Sequence, residues 1–143
     1  MFASPSEHRP GPRHAASAYR LTGVETGIAS ASPHQLVALL FDAFNDSITQ
    51  ARGAIRNGQI EQRGRCLARA SRILNEGLRG GLNLREGGTL AADLNDLYAY
   101  ISQRLTHANV HGDEAALNEC QKLIQPLREA WSGIGVSADA VRN

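Results

Sequence analysis

The stretch Ala31-Ser32-Pro33-His34-Gln35-Leu36-Val37-Ala38-Leu39-Leu40-Phe41-Asp42-Ala43-Phe44 constrains the fold more than any other part of the chain. Ser32 is placed to cap a helix, and Pro33 suits the first helical position, where a backbone N–H would have no partner anyway. Gln35 can reach back to the Ser32 backbone and complete a capping box. A helix that starts there can run to about Arg56. At about 100° per residue, Leu36, Val37, Leu40, Phe41, Phe44, Ile48, Ala51 and Ile55 fall in one broad arc. Leu39 and Ala43 widen that arc past half the circumference, whereas a helix with one neighbour needs only about 100° of apolar surface. Such a helix calls for neighbours on two sides, or for a neighbour and something that binds.

The rest of the chain supplies the neighbours. Residues 1–16 are rich in Pro, Gly, Ser and His without an apolar period, and read as a disordered tail. Residues 17–31 are small and mixed, too weak for an independent helix; their isolated apolar residues Tyr19, Leu21, Val24 and Ile28 suit either an arm that docks on the bundle or a mobile linker. Asn57-Gly58 is a turn and helix-end signal. A second helix is expected from Gln59 to Leu78, with Cys66, Leu67, Ala70, Ile73, Leu74 and Leu78 inward and Arg65, Arg69, Arg72 and Arg79 on a solvated face. After the glycine-rich loop 80–88, a third helix spans about Thr89 to Val110, with Leu90, Leu94, Leu97, Ile101 and Leu105 as its stripe and Tyr98 and Tyr100 at the two edges. Asp113 caps a fourth helix, whose apolar side holds Leu117, Cys120, Leu123, Ile124, Leu127, Ala130, Trp131 and Ile134. Pro126 lies inside it and should bend it near Lys122, while Gly133 and Gly135 should end it. The pattern predicts an all-α fold, an antiparallel up-down four-helix bundle over residues 32–135 with a flexible N-terminal arm and a short tail at 136–143.

Composition removes whole classes of function. With 143 residues the chain can bury a real core, and a formal net charge of +1 argues against a whole-chain polyanion binder. Lys122 is the only lysine, which excludes a P-loop and lysine Schiff-base chemistry. Cys66 and Cys120 stand far apart with no Cys-x-x-Cys, so neither a zinc knuckle nor a redox pair is expected. His107 and His111 are four apart at a helix end, but no Glu-x-x-His faces them, so no metal is expected there. Asp93 and Asp96 sit on the outer side of the third helix, as charged surface rather than an acid–base pair. The arginines of the second helix have no aromatic residue among them to stack a base, which disfavours nucleic acid. No apolar run reaches the length of a membrane span, no signal-peptide core is present, and a cytoplasmic protein without cofactor or enzymatic activity is expected.

Three separated motifs carry a resemblance beyond this. Ala29-Ser30-Ala31-Ser32-Pro33-His34-Gln35-Leu36-Val37 followed by Leu40-Phe41-Asp42 resembles the opening helix of the FliS family of flagellin-specific export chaperones. Leu84-Arg85-Glu86-Gly87-Gly88, then Leu94, Leu97-Tyr98-Ala99-Tyr100-Ile101 and Arg104-Leu105-Thr106-His107-Ala108-Asn109, is similar to the family's central signature. Arg128-Glu129-Ala130-Trp131 with Ile134 resembles its closing one, and the similarity keeps one register from about Tyr19 to Ile134. Thr89 stands where the family usually has Glu, and Pro126 interrupts a helix that is usually continuous. The resemblance implies a cytoplasmic chaperone that binds the disordered C-terminal segment of flagellin, prevents premature polymerisation and delivers it to the type III export apparatus. It further implies contact with the export-gate component FlhA and with other flagellar regulatory proteins. An amphipathic client segment needs its apolar face covered by helix-in-groove contacts. The residues expected to line that groove are Tyr19, Val24, Leu36, Leu39, Leu40, Phe44, Tyr98, Ile101, Leu105, Asn109 and Trp131. The competing readings are an arginine-faced bundle that binds RNA or another protein, and a metal or cofactor bundle; neither accounts for the three motifs.

Overall fold

The computed structural model of the chain describes residues 31–142, with side chains as far as Ile134. Its elements are α1 (Pro33–Arg56), α2 (Ile60–Arg72) with a π-helical continuation (Ile73–Arg79), α3 (Gly88–His111) and α4 (Glu114–Arg142). The start of α1 is the expected one. Ser32 Oγ accepts from the Gln35 N–H at 3.1 Å, and Gln35 Oε1 accepts from the Ser32 N–H at 2.7 Å, so two of the helix's orphan donors are paired reciprocally. Asp113 caps α4 by accepting from the N–H groups of Ala115 and Ala116 at 3.0 and 3.3 Å. No residue among those described is in a strand.

Hydrogen bonds between helices set their directions. Along α1, residues 34, 42, 45 and 52 meet residues 131, 128, 121 and 114 of α4, so the two run in opposite senses. Arg63, Asn75 and Arg79 meet Asn109, Ser102 and Asn95 in the same descending order, and Tyr100 and His107 meet Glu119 and Asp113. Each helix therefore packs against its sequence neighbours, and α4 closes the ring on α1. The core runs down the middle, with Leu40, Phe44, Ile48, Ile73, Leu74, Ile101, Leu105, Leu117 and Ile124 all at 2 % exposure or less. This answers the wide arc of α1: α2 covers one flank and α4 the other.

Two expectations need correction. The second helix is not α-helical to its end: over Ile73–Arg79 it widens to the π form, with the Gly80 N–H reaching back five residues to Asn75 O at 2.9 Å. The same residues, Ile73, Leu74, Gly77 and Leu78, stay inward in either form, so their spacing could not reveal it. The fourth helix does not stop at Gly133 or Gly135; it is continuous through both glycines and through Pro126 to Arg142. Glycine in a helix interior costs only about 1 kcal/mol, which flanking helix formers can offset.

Two glycines are required where they stand. Gly112 ends α3 in the left-handed region at φ 62°, and a Cβ there would also lie 2.9 Å from Arg63 Nη1. Gly87, at the entry to α3, lies so close to its neighbours that a Cβ would come within 2.5 Å of the Ala91 Cβ and 2.7 Å of Asn83 O.

Candidate functional site

The antiparallel arrangement gives the bundle two unlike ends. One end collects the start of α1, the loop after the π-helical segment, the start of α3 and the distal part of α4. Its apolar residues are only partly covered: Ala31, Val37, Leu82, Leu94, Leu97, Leu127 and Trp131 lie half-buried against the core. Leu84, Leu90 and Ile134 are 55 %, 70 % and 57 % exposed. Scattered apolar side chains are normal on a surface, but a concentration at one end of a bundle marks a place where another apolar element can pack.

The opposite end carries a network of charged side chains beside two exposed apolar ones, Ile60 and Val110. Glu114 accepts from Arg52 Nε at 2.9 Å and from Arg56, while Arg52 Nη1 also donates to Gln121 Oε1 at 2.8 Å. Hydrogen bonds from the two arginines hold the Glu114 carboxyl below the usual carboxylate value. Asp113 is likewise held low: partial loss of hydration opposes its charge, but the N–H groups of Ala116 and Ala115 and the His107 ring together outweigh that. Arg63 Nη2 donates to the Asn109 carbonyl at 2.8 Å, which satisfies one of the free acceptors at the end of α3.

His107 and His111 are in ring contact at 4.5 Å, and His107 Nε2 lies 3.1 Å from Asp113 Oδ2. Among the described residues no group of three or more His, Cys, Asp or Glu is placed to hold a metal ion. Cys120 is buried, and burial pushes its thiol up to about 12, far from thiolate chemistry.

Where each expected groove residue lies is now clear. Tyr19 and Val24 lie outside the described residues. Leu36, Leu40, Phe44, Tyr98, Ile101 and Leu105 belong to the core, at 3 % exposure or less. Leu39 and Trp131 are half-buried at its edge, and Asn109 is exposed at the end with the charged network. The eleven residues are thus not brought onto one open surface. The reading of Tyr98 as an edge residue is corrected: at 3 % exposure its ring is inside, and burial pushes its phenol to about 12. Tyr100 is the edge tyrosine, 42 % exposed, its hydroxyl donating to Glu119.

Of the arginines expected on the solvated face of the second helix, Arg65 and Arg72 are exposed, while Arg69 and Arg79 are half-buried. Arg79 Nε donates to Asn95 Oδ1 at 2.8 Å, Arg65 Nη2 donates to Gln62 Oε1 at 2.9 Å, and the Nε of Arg69 is buried.

Periodicity of apolar residues also missed a polar seam between α1 and α4. Asp42, Asn45, Thr49, Arg52 and Arg56 recur at helical spacing, and they meet Arg128, Gln121, Asn118 and Glu114. The same 3.6-residue period, read in the polar residues, was the available signal. Most singular is the join of His34 to Trp131. Their rings stack at 4.8 Å and 3°, Trp131 Nε1 donates to the His34 carbonyl at 3.0 Å, and His34 Nε2 donates to the Trp131 carbonyl at 2.6 Å.

Comparison with known proteins agrees with this geometry. The family model described as "Flagellar protein FliS" matches residues 15–138. The flagellar secretion chaperone FliS of Salmonella typhimurium strain LT2 is 38 % identical over 121 residues, which cover 85 % of this chain and 90 % of that protein. The flagellar secretion chaperone FliSB of Pseudomonas aeruginosa is 35 % identical over 116 residues, covering 81 % and 91 %, and Bacillus subtilis FliS is 29 % identical over 115 residues, covering 80 % and 81 %. A match over residues 15–138, which takes in three helices whole and most of the fourth, means that the chain belongs to the FliS family of flagellar proteins.

Proposed function

We propose that this protein is a cytoplasmic flagellar secretion chaperone whose client is the disordered C-terminal segment of flagellin. It keeps that segment from polymerising prematurely and delivers it to the type III export apparatus, through the gate component FlhA, with other flagellar regulatory proteins as further partners. The observation that carries this reading is the family match over residues 15–138, most of the chain. The apolar end of the bundle supports it physically. A client segment that is itself amphipathic can lay its apolar face along Leu39, Trp131 and the exposed Leu84, Leu90 and Ile134. Leu36, Leu40, Phe44, Tyr98, Ile101 and Leu105 form the rigid platform beneath, and the client contacts we propose extend to Tyr19 and Val24 of the arm and to Asn109. No helix among the described residues is long and apolar enough to cross a membrane. Calorimetry of the full chain against full-length flagellin, and against flagellin without its C-terminal segment, tests the reading. One-to-one binding of the first and loss of binding to the second is expected; equal affinity for both overturns it.

A further inference from the structure

The fourth helix changes character at Pro126. Before it, Ala116, Leu117, Cys120 and Ile124 are all at 0–1 % exposure. Beyond it, as far as Ile134, no side chain is fully buried: Leu127, Arg128 and Trp131 are half-buried and the others exposed. Pro126 has no N–H to give to the Lys122 carbonyl, so the hydrogen-bond ladder lacks a rung where the core contacts end. Among the described residues two polar attachments join the distal part to α1, beside the partial packing of Leu127 and Trp131 against the core. Arg128 pairs with Asp42 at 2.6 Å, but with the two side chains 34 % and 52 % exposed this is a solvent-screened pair of small worth. The other is the His34–Trp131 join, with a stack and two reciprocal hydrogen bonds. A carbonyl oxygen only accepts, so His34 Nε2 carries the proton in this contact.

We propose that α4 beyond Pro126 is a flap that opens from the bundle as a unit, hinged at Pro126 and latched by His34 against Trp131. A segment with little buried area and one main attachment has a far lower opening free energy than the core helices. Opening parts Trp131 from His34 at the start of α1 and lifts Leu127 and Trp131 off the core, while Ile124 and the core before it stay packed. The flap follows from the distribution of burial along α4 and stands whether or not flagellin is the client. If it is, the latch sets how readily apolar surface at this end becomes available.

Hydrogen exchange of the full-length chain, read by mass spectrometry, tests this directly. Amides of residues 127–134 are expected to exchange at least about a hundredfold faster than those of residues 115–124. His34→Ala keeps the backbone carbonyl that accepts from Trp131 but removes the ring stack and the Nε2 bond, and should speed exchange about tenfold in the distal segment only, the change that one lost hydrogen bond of ordinary strength brings. It should also shift the emission of Trp131, the only tryptophan, to longer wavelength while helicity is kept. Pro126→Ala should slow distal exchange by restoring the missing rung. Should His34→Ala impair folding, Trp131→Phe keeps an apolar ring and loses only the donor, and the same distal-only acceleration is expected. Equal exchange rates on both sides of Pro126 overturn the proposal, and so does a latch variant that speeds both segments alike.

Discussion

Glu114 is the residue on which the charged network depends, because it accepts from Arg52 and Arg56 at once. Its carboxyl is held below the ordinary value, first by the Arg56 hydrogen bond and then by that of Arg52. A depressed carboxylate contributes stability that is present above its unfolded pKa and lost as pH falls through its folded one. Glu114→Gln should therefore lower stability in urea melts at about pH 7, and the variant and the original chain should converge by about pH 2. A larger gap in acid than at neutral pH would contradict this. Tyr98 gives the opposite limb. Its phenol is raised by burial from 10.0 to about 12, so the folded state resists its ionisation. A raised pKa leaves stability intact below the unfolded value and costs it as pH climbs from there to the folded one. Tyr98→Phe should change little at neutral pH and should shrink the loss between pH 10 and 12, as alkaline melts will show. Part of the loss should persist, since burial raises the Cys120 thiol to about 12 as well. The burial of Tyr98 was legible in the period, since it stands four after Leu94 and three before Ile101, whereas Tyr100 falls off that stripe. Tertiary structure supplied the partner of the outer ring, Glu119 of α4.

At the level of elements, the boundaries that depend on local chemistry were legible and those that depend on neighbours were not. The capping box of Ser32 and Gln35, the Asp113 cap and the Gly112 end all act within a few residues of the helix they bound. Gly112 offers a test, because its left-handed φ disfavours any residue with a Cβ and the flexible Arg63 guanidinium above it would have to shift. Gly112→Ala should cost about 1 kcal/mol or somewhat more in denaturant melts, the usual strain of a non-glycine residue there. An unchanged midpoint would mean that the α3–α4 turn relaxes freely. The π-helical segment is the contrary case. Asn75 Nδ2 donates to Ser71 O at 3.0 Å and to Ser102 Oγ at 3.2 Å, and Arg79 reaches Asn95, so α3 has a hand in its shape. Nothing in the run Ile73–Arg79 by itself distinguishes the π form from an α-helix. The continuation of α4 past Gly133 and Gly135 is similar in kind, since glycine weakens a helix without forbidding it.

For the whole molecule, stability rests on the continuous core rather than on the ends. Phe44 is fully buried at the centre of α1, so Phe44→Ala should cost about 3–5 kcal/mol by lost burial and the cavity left behind. Ile60→Ala, at a position 67 % exposed, should stay within about 0.5 kcal/mol, and urea melts of the two variants check both. The sequence alone determined that there are four helices, where each begins to within a residue or so, most of the residues that face inward (Leu90, Ala130 and Ile134 of the expected stripes are exposed), and which family the motifs resemble. These are local properties: the 3.6-residue period, capping groups and turn residues act over a few positions, and a short loop forces the next helix back along the last. Tertiary structure decided the rest. It put six of the expected groove residues in the core, gathered the Arg52–Arg56–Glu114 network at one end of the bundle, and brought His34 onto Trp131 across 97 positions of sequence. Such contacts depend on which face of one helix meets which face of another. That choice is made by packing among residues far apart in the chain, and no window of sequence contains it.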